Sequence, residues 1–167
     1  MNSALLINIA RFILLIALQI LLFNNINFLG EYNPYPYILF IILYPANSNK
    51  TGLLVASFLL GLTVDMFCNS GGVHAAASLI LAFFRPSIFK FSFGLSYEYQ
   101  TVKINDVLTP QRFSFILIAV LIHHFVLFLL EYFALSYILE ILIKTALRSV
   151  FTILLSILII YLVKPNR

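Results

Sequence analysis

A chain of 167 residues that is 62% hydrophobic and only 10% charged lies outside the range of ordinary soluble domains, which excludes a water-soluble enzyme as its default class. Six acidic and ten basic residues stand against 17 Phe and 9 Tyr, too little polar surface to coat a soluble fold of this size, so the chain belongs in lipid. The net charge of +4 is small and its basic residues form no long cluster, which sets nucleic acid aside, and the single Cys68 permits no internal disulfide.

A spanning helix needs about 20 apolar residues. The first candidate, 4–23, has no positively charged segment before it and no small-residue pattern at Phe23-Asn24-Asn25, so it reads as a retained span and not as a cleaved export signal. Arg11 sits near its middle, with Asn8 one turn before and Gln19 two turns after. An arginine there is expensive, and three readings stand: a side chain snorkelling to the interface, a buried ion pair with an acid on another span, or a ligand or proton role.

The second candidate, 36–46, is short, since a dozen helical residues cover only about 18 Å. Between Lys50 and Arg85 the sole charge is Asp65, and that stretch would extend about 51 Å as one helix. It therefore divides into spans 52–67 and 72–84, with Cys68-Asn69-Ser70-Gly71-Gly72 as the break. Ser57, Gly61 and Asp65 share one face, and Ala75, Ser78 and Ala82 form a similarly small face on the next helix. Small faces allow close contact. The hairpin brings Asp65 near His74, where a hydrogen bond holding the turn is the plain reading, a contact with a partner segment is a second and a catalytic pair is a distant third. Cys68 reads as a small buried side chain at the turn.

Residues 85–112 form the one sizeable connection expected outside the membrane. Phe89, Phe91, Phe93, Leu95, Tyr97 and Tyr99 alternate with polar or small residues, which is strand patterning. Two readings stand: an extended aromatic-edged segment on the interface, or a strand that pairs with 101–104 or with a partner protein. Thr109-Pro110 then opens the fifth span, 112–133. His123 and His124 fall at its centre and point about 100° apart. They make a poor chelate, and His124 aligns instead with Glu131. The last span, 137–163, carries Glu140, Lys144 and Arg148 at four-residue steps along one face, where Glu140 and Lys144 suit a local pair and Arg148 lacks a local acid. Structural pairing is preferred there to a transport route.

With six crossings and both termini in the cytoplasm, the inner connections hold Lys50, Arg85, Lys90, Lys103, Arg112, Lys164 and Arg167, and the outer ones hold no Lys or Arg. That asymmetry favours six spans over five. The chain carries no P-loop, dinucleotide fingerprint, HExxH or GxSxG motif. No catalytic residue, cofactor or metal site is expected.

Several stretches, in order, carry a resemblance to a known family. They are Gln19-Ile20-Leu21-Leu22-Phe23 with Asn25-Ile26-Asn27, Asn33-Pro34-Tyr35 leading to Tyr37-Ile38-Leu39-Phe40, Gly61-Leu62-Thr63-Val64-Asp65-Met66-Phe67, Gly72-Val73-His74-Ala75-Ala76 and Arg85-Pro86. With them the chain resembles the bacterial rod shape-determining protein MreD family, in its short versions; over the last two spans the match is one of length and hydropathy. The resemblance implies an all-α polytopic fold of about six transmembrane helices, similar to the substrate-binding subunits of energy-coupling-factor transporters. It implies a non-enzymatic scaffold of the cell-elongation complex in the bacterial inner membrane, supporting peptidoglycan synthesis and rod shape. The implied partners are MreC and, with it, the peptidoglycan polymerase and transpeptidase pair and the MreB filament. Gly61, Asp65, Gly72 and Arg85-Pro86 would preserve the hairpin and its cytoplasmic exit. A small-molecule binding subunit of a membrane transporter is the alternative, and an outward cavity lined by groups such as Asp65, His74 and Glu140 would mark it.

Overall fold

The computed structural model describes residues 3–26, 33–45, 48–94 and 108–163. Every regular element among them is helical, and five helices are long and apolar enough to cross a membrane. The chain is an all-α polytopic membrane protein. Lipid offers backbone groups no hydrogen-bond partner, so long helices, which satisfy their own, are the form such a sequence takes.

Helix α1, Ser3–Leu18, runs on as a π-helical turn at Gln19–Phe23, closed by a 2.8 Å bond from the Asn24 N–H to the Gln19 carbonyl. A 3-10 turn, Pro36–Ile38, leads into the short α2, Leu39–Leu43. Helix α3, Lys50–Cys68, and helix α4, Val73–Phe93, form the hairpin; α5 is Pro110–Tyr132; a 3-10 turn at Leu135–Tyr137 precedes α6, Ile138–Leu162.

The α3–α4 hairpin is the tightest pairing. Ser57, Gly61 and Asp65 on α3 and Ala75, Ser78 and Ala82 on α4 are all buried, as the two small faces lead one to expect. A Cβ on Gly61 would lie 2.4 Å from the His74 carbonyl oxygen and 2.5 Å from the Ala75 Cα, so only glycine permits this approach. Between the helices the chain reverses through Asn69, Gly71 and Gly72, all with positive φ, and Gly72 at φ 98° begins α4.

The segment 36–43 spans only about 13 Å of helical rise, less than half of a hydrocarbon core of about 30 Å. It lies inside the bundle: Tyr37, Ile38, Leu39 and Ile41 are fully buried. The chain enters it beside Asn24, whose side chain donates to the Cys68 sulfur, and continues to Lys50 at the far end of α3. It therefore traverses the bundle, part helical and part irregular. Non-helical backbone is tolerated at such depth only when buried in protein.

Two arginines supply what water would. Arg85 donates to the carbonyls of Ile42, at 3.4 Å, and Tyr44, and Arg11 donates to the Leu43 carbonyl at 3.1 Å. These carbonyls are the unpaired C-terminal groups of α2, at the negative end of its dipole. Arg11 thus meets backbone oxygen and a 3.5 Å contact with Asn8, not the acid of another span that one reading offered.

Arg85 and Pro86 lie within α4 and not at its exit, and Arg85 is 5% exposed, with its guanidinium 4.8 Å from the Phe89 ring centroid. Two expectations change accordingly. The connection begins after Phe93, so neither Arg85 nor Lys90 counts among loop charges, and residues 89–93 are helix instead of strand. The alternating phenylalanines also place Phe89 and Phe93 four apart, and these stack at 5.1 Å with Phe89 4.4 Å from Phe115. Packing against α5 selects the helical solution of a pattern that fits both. Residues 95–107, with the remainder of the alternating run, lie outside the described residues.

Arg85→Met should destabilise the protein by about 2–4 kcal/mol, because buried carbonyls lose charged donors. Equilibrium unfolding in detergent micelles reads this against Lys90→Met on the exposed face of the same helix, expected to change little; equal effects would remove the capping role. Gly61→Ala should cost about 1–3 kcal/mol through backbone overlap, and an unchanged unfolding midpoint would contradict the close approach.

Candidate functional site

Buried polar side chains collect where the segment 35–37 crosses α4, α5 and α6. Asp65 organises one side. Its Oδ1 accepts from the Ser70 hydroxyl at 2.5 Å and the His74 backbone N–H at 3.0 Å, and its Oδ2 accepts from the Ala75 N–H at 2.8 Å. A carboxylate so placed caps the unpaired donors at the start of α4 and lies favourably on its dipole. The Asp65–His74 contact expected from sequence therefore exists, but through the His74 main chain. This leaves the imidazole available.

That imidazole is hydrogen-bonded through Nδ1 to the Tyr37 hydroxyl at 2.8 Å, and the same hydroxyl meets His123 Nε2 at 2.9 Å. A hydroxyl has one proton to donate and two lone pairs that accept, so it serves one ring as donor and the other as acceptor, or accepts from both. His123 Nδ1 is buried and has no partner among the described residues. Placing the His123 proton there would orphan a buried N–H, the more costly defect. His123 therefore donates from Nε2 to Tyr37, whose hydroxyl also holds His74 Nδ1.

A parallel set lies beside it. His124 Nδ1 donates to the Val120 carbonyl at 2.9 Å; its Nε2 accepts from the Thr152 hydroxyl at 3.1 Å; and that hydroxyl accepts from the Tyr35 N–H at 3.2 Å. His124 is thus tied to α6 and not to Glu131, the partner its spacing suggested. The Tyr35 ring packs between His74, at 5.2 Å, and His124, at 5.4 Å, and its hydroxyl accepts from Arg148 at 2.7 Å. Arg148 also lies 5.0 Å from the Phe128 ring centroid, so aromatic faces take part in holding it.

Above this layer, at the α3–α4 turn, opens a cavity of about 680 Å3. Tyr35 and His74 form part of its wall; Asn24, Asn69, Ser70 and Glu131 supply polar lining, and Phe67 and Leu130 supply apolar faces. Asp65 lies behind Ser70 and the start of α4, outside the lining, and Glu140 is elsewhere: it pairs with Lys144 at 3.3 Å, and Tyr132 donates to it at 2.5 Å while accepting from Lys144. The Glu140–Lys144 pair is as the four-residue step suggests. Cys68 is exposed at the cavity rather than buried, and its sulfur accepts from Asn24 at 3.2 Å.

Of the residues singled out from sequence, Gly61, Asp65, Gly72, His74, His124 and Arg148 gather around this layer, while Arg11, Arg85 and Pro86 lie lower in the bundle and Glu140 with Lys144 stand apart. Tyr35, Tyr37 and Thr152 were not singled out, and His123, read beside His124 as a poor chelate, joins the layer through Tyr37. The available signal was the Pro34-Tyr35-Pro36-Tyr37 run, which places two hydroxyl-bearing rings on a segment too short to span. Together the geometry defines a membrane-embedded helical protein with a polar cavity at one end, His74 forming part of its wall. Compared with protein-family models, curated proteins and solved structures, the chain matches none.

Tyr37→Phe keeps the ring and removes the shared hydroxyl, stranding nitrogens on His74 and His123. A loss of roughly 2–4 kcal/mol is expected, with altered 15N shifts at both His74 and His123. A variant as stable as the parent, with unchanged imidazole shifts, would show that the hydroxyl does not bridge the rings.

Proposed function

We propose that the protein is a non-enzymatic scaffold of the bacterial cell-elongation machinery, of the MreD kind, placed in the inner membrane with both termini in the cytoplasm. One observation carries the reading. The stretches on which the resemblance rests converge in a single structural unit: Gln19 donates to Asn24 and the Pro34 carbonyl, Gly61 receives α4, Asp65 caps it, and Arg85 holds the end of α2. Their polar atoms serve backbone and neighbouring side chains. Sequence features that build a framework in this way support a role in which shape and association are the output.

In this role the single-span protein MreC lies along an outer helical face and its juxtamembrane region meets the end bearing the cavity. Through MreC the scaffold serves the peptidoglycan polymerase and transpeptidase pair and the MreB filament. The alternative, a binding subunit of a transporter, draws its support from the cavity, whose volume is within the usual range for small-molecule sites of about 300–1,000 Å3.

Crosslinked membranes of the native host, solubilised in mild detergent, distinguish the two. Affinity purification of this chain is expected to recover MreC, and deletion of MreC to alter this protein's abundance, position and effect on cell shape. Recovery of an ATPase module without MreC would reverse the assignment.

A further inference from the structure

Beside the α5–α6 turn, an open charged group stands within an apolar span. Lys144 and Glu140 pair at 3.3 Å with side chains 32% and 48% exposed, Tyr132 bonds to both, and Leu139, Leu142 and Ile143 around them are exposed as well. The apolar stretch 135–162 has 28 residues, about 42 Å of helical rise against a hydrocarbon core of about 30 Å, so when centred it projects about 6 Å beyond the core at each end. Glu140, about 8 Å below Leu135, then lies near the headgroup boundary, and Lys144, one turn deeper, extends its ammonium back to it. Tyr132 and Tyr137, with ring centroids 5.6 Å apart, border the pair at the depth where aromatic rings anchor helices.

The pair leaves matched bonding capacity. Glu140 Oε1 meets both Tyr132 and Lys144, so Oε2 has no partner among the described residues, while Lys144 uses two of its three N–H groups on Tyr132 and Glu140. One acceptor and one donor stand side by side. Charge along this edge is balanced among the described residues, with Glu131 and Glu140 against Lys144 and Arg148, the last held by the Tyr35 hydroxyl and the Phe128 ring. We infer that this site binds a phospholipid of the leaflet at the cavity end whose headgroup joins a phosphate to a primary ammonium, the phosphate meeting Lys144 and the ammonium meeting Glu140. An anionic headgroup brings nothing for Glu140 to accept from, and a quaternary ammonium has no N–H to give it. Phe133 supplies a second observation. It is 86% exposed at φ 47°, a left-handed conformation strained for a bulky residue, and with Leu135 it presents apolar surface at headgroup depth. The site rests on the turn and the pair alone, so it stands whether the protein is a scaffold or a transporter subunit.

Native mass spectrometry of the full chain, freed of lipid in a detergent with neither phosphate nor ammonium, tests this with dioleoyl phosphatidylethanolamine, phosphatidylcholine and phosphatidylglycerol. Binding of the phosphatidylethanolamine at least about fivefold tighter than of either other lipid is expected. Glu140→Gln keeps an acceptor for Tyr132 but removes the counter-charge of the ammonium, so phosphatidylglycerol should become the preferred lipid; Lys144→Met should weaken all three. Phe133→Gly relieves the positive φ, so the unfolding midpoint should hold or rise while all three lipids bind about threefold more weakly. A pair that only staples one turn of α6 would leave the order of lipids unmoved. The proposal is overturned by equal binding of the three lipids, the result if a protein side chain is the natural occupant, or by an unaltered order of preference in Glu140→Gln. Recovery of MreC is read separately, so failure here leaves the partner assignment standing.

Discussion

A short helix inside a membrane protein has polar ends that neither lipid nor its own turns can satisfy, and the architecture follows from how those ends are closed. Segment 36–43 has that problem at both termini. Thr152 on α6 accepts the Tyr35 N–H at one end, and Arg11 on α1 with Arg85 on α4 donates to the carbonyls of residues 42–44 at the other. Three helices are thereby fixed to one piece of chain by bonds that have no aqueous competitor. Hydrogen bonds to charged groups exceed neutral ones, and these act where exchange with water is restricted. This accounts for arginines at depths where a lone cation would be costly: each brings donors that the fold requires there.

The same segment carries two tyrosines with complementary tasks. Tyr37 points its hydroxyl between α4 and α5, joining His74 to His123, whereas Tyr35 turns its hydroxyl to Arg148 of α6 and its ring to His74 and His124. Apolar packing supports both: Phe12 of α1 meets Phe40 edge-on at 5.3 Å. The least helical crossing therefore touches α1, α4, α5 and α6 and acts as the hub of the bundle. By contrast α3 depends on α4, through the small faces and the Asp65 cap.

Much of this was legible in the sequence, and the parts that were not share a cause. Length and hydropathy located the long helices, the Cys68–Gly72 break located the hairpin, and residue size at Ser57, Gly61, Ala75, Ser78 and Ala82 located the closest contact. Each of these follows from one element's own pattern. Partner identity does not. An acid on another span was one reading for Arg11, yet a broken helix supplies it with a carbonyl, and Tyr35 gives Arg148 a hydroxyl; neither is a charge that a sequence displays. The phenylalanines at 89, 91 and 93 illustrate a second limit, since spacing by two contains spacing by four. Arg85 over Phe89, together with Phe115 on α5, resolves that ambiguity only in three dimensions.

Framework and cavity are not separable in this protein. The wall facing the cavity includes His74, whose backbone is positioned by Asp65 and whose ring is oriented by Tyr37; Tyr37 in turn depends on the capped crossing that carries it. A change at the arginines, far below the opening, would reach the cavity by altering where Tyr37 sits and hence how the His74 ring is held. Conversely, occupation of the opening would bear on the packing of α4 against α5 through the one hydroxyl they share. Residues of the α3–α4 turn and of α5 line the same opening, so any partner or ligand engaging that end acts on both sides of the joint at once. The structural economy lies in that dependence: interactions needed to hold an irregular crossing in lipid also fix the hydrogen-bonding character of the surface it leaves open.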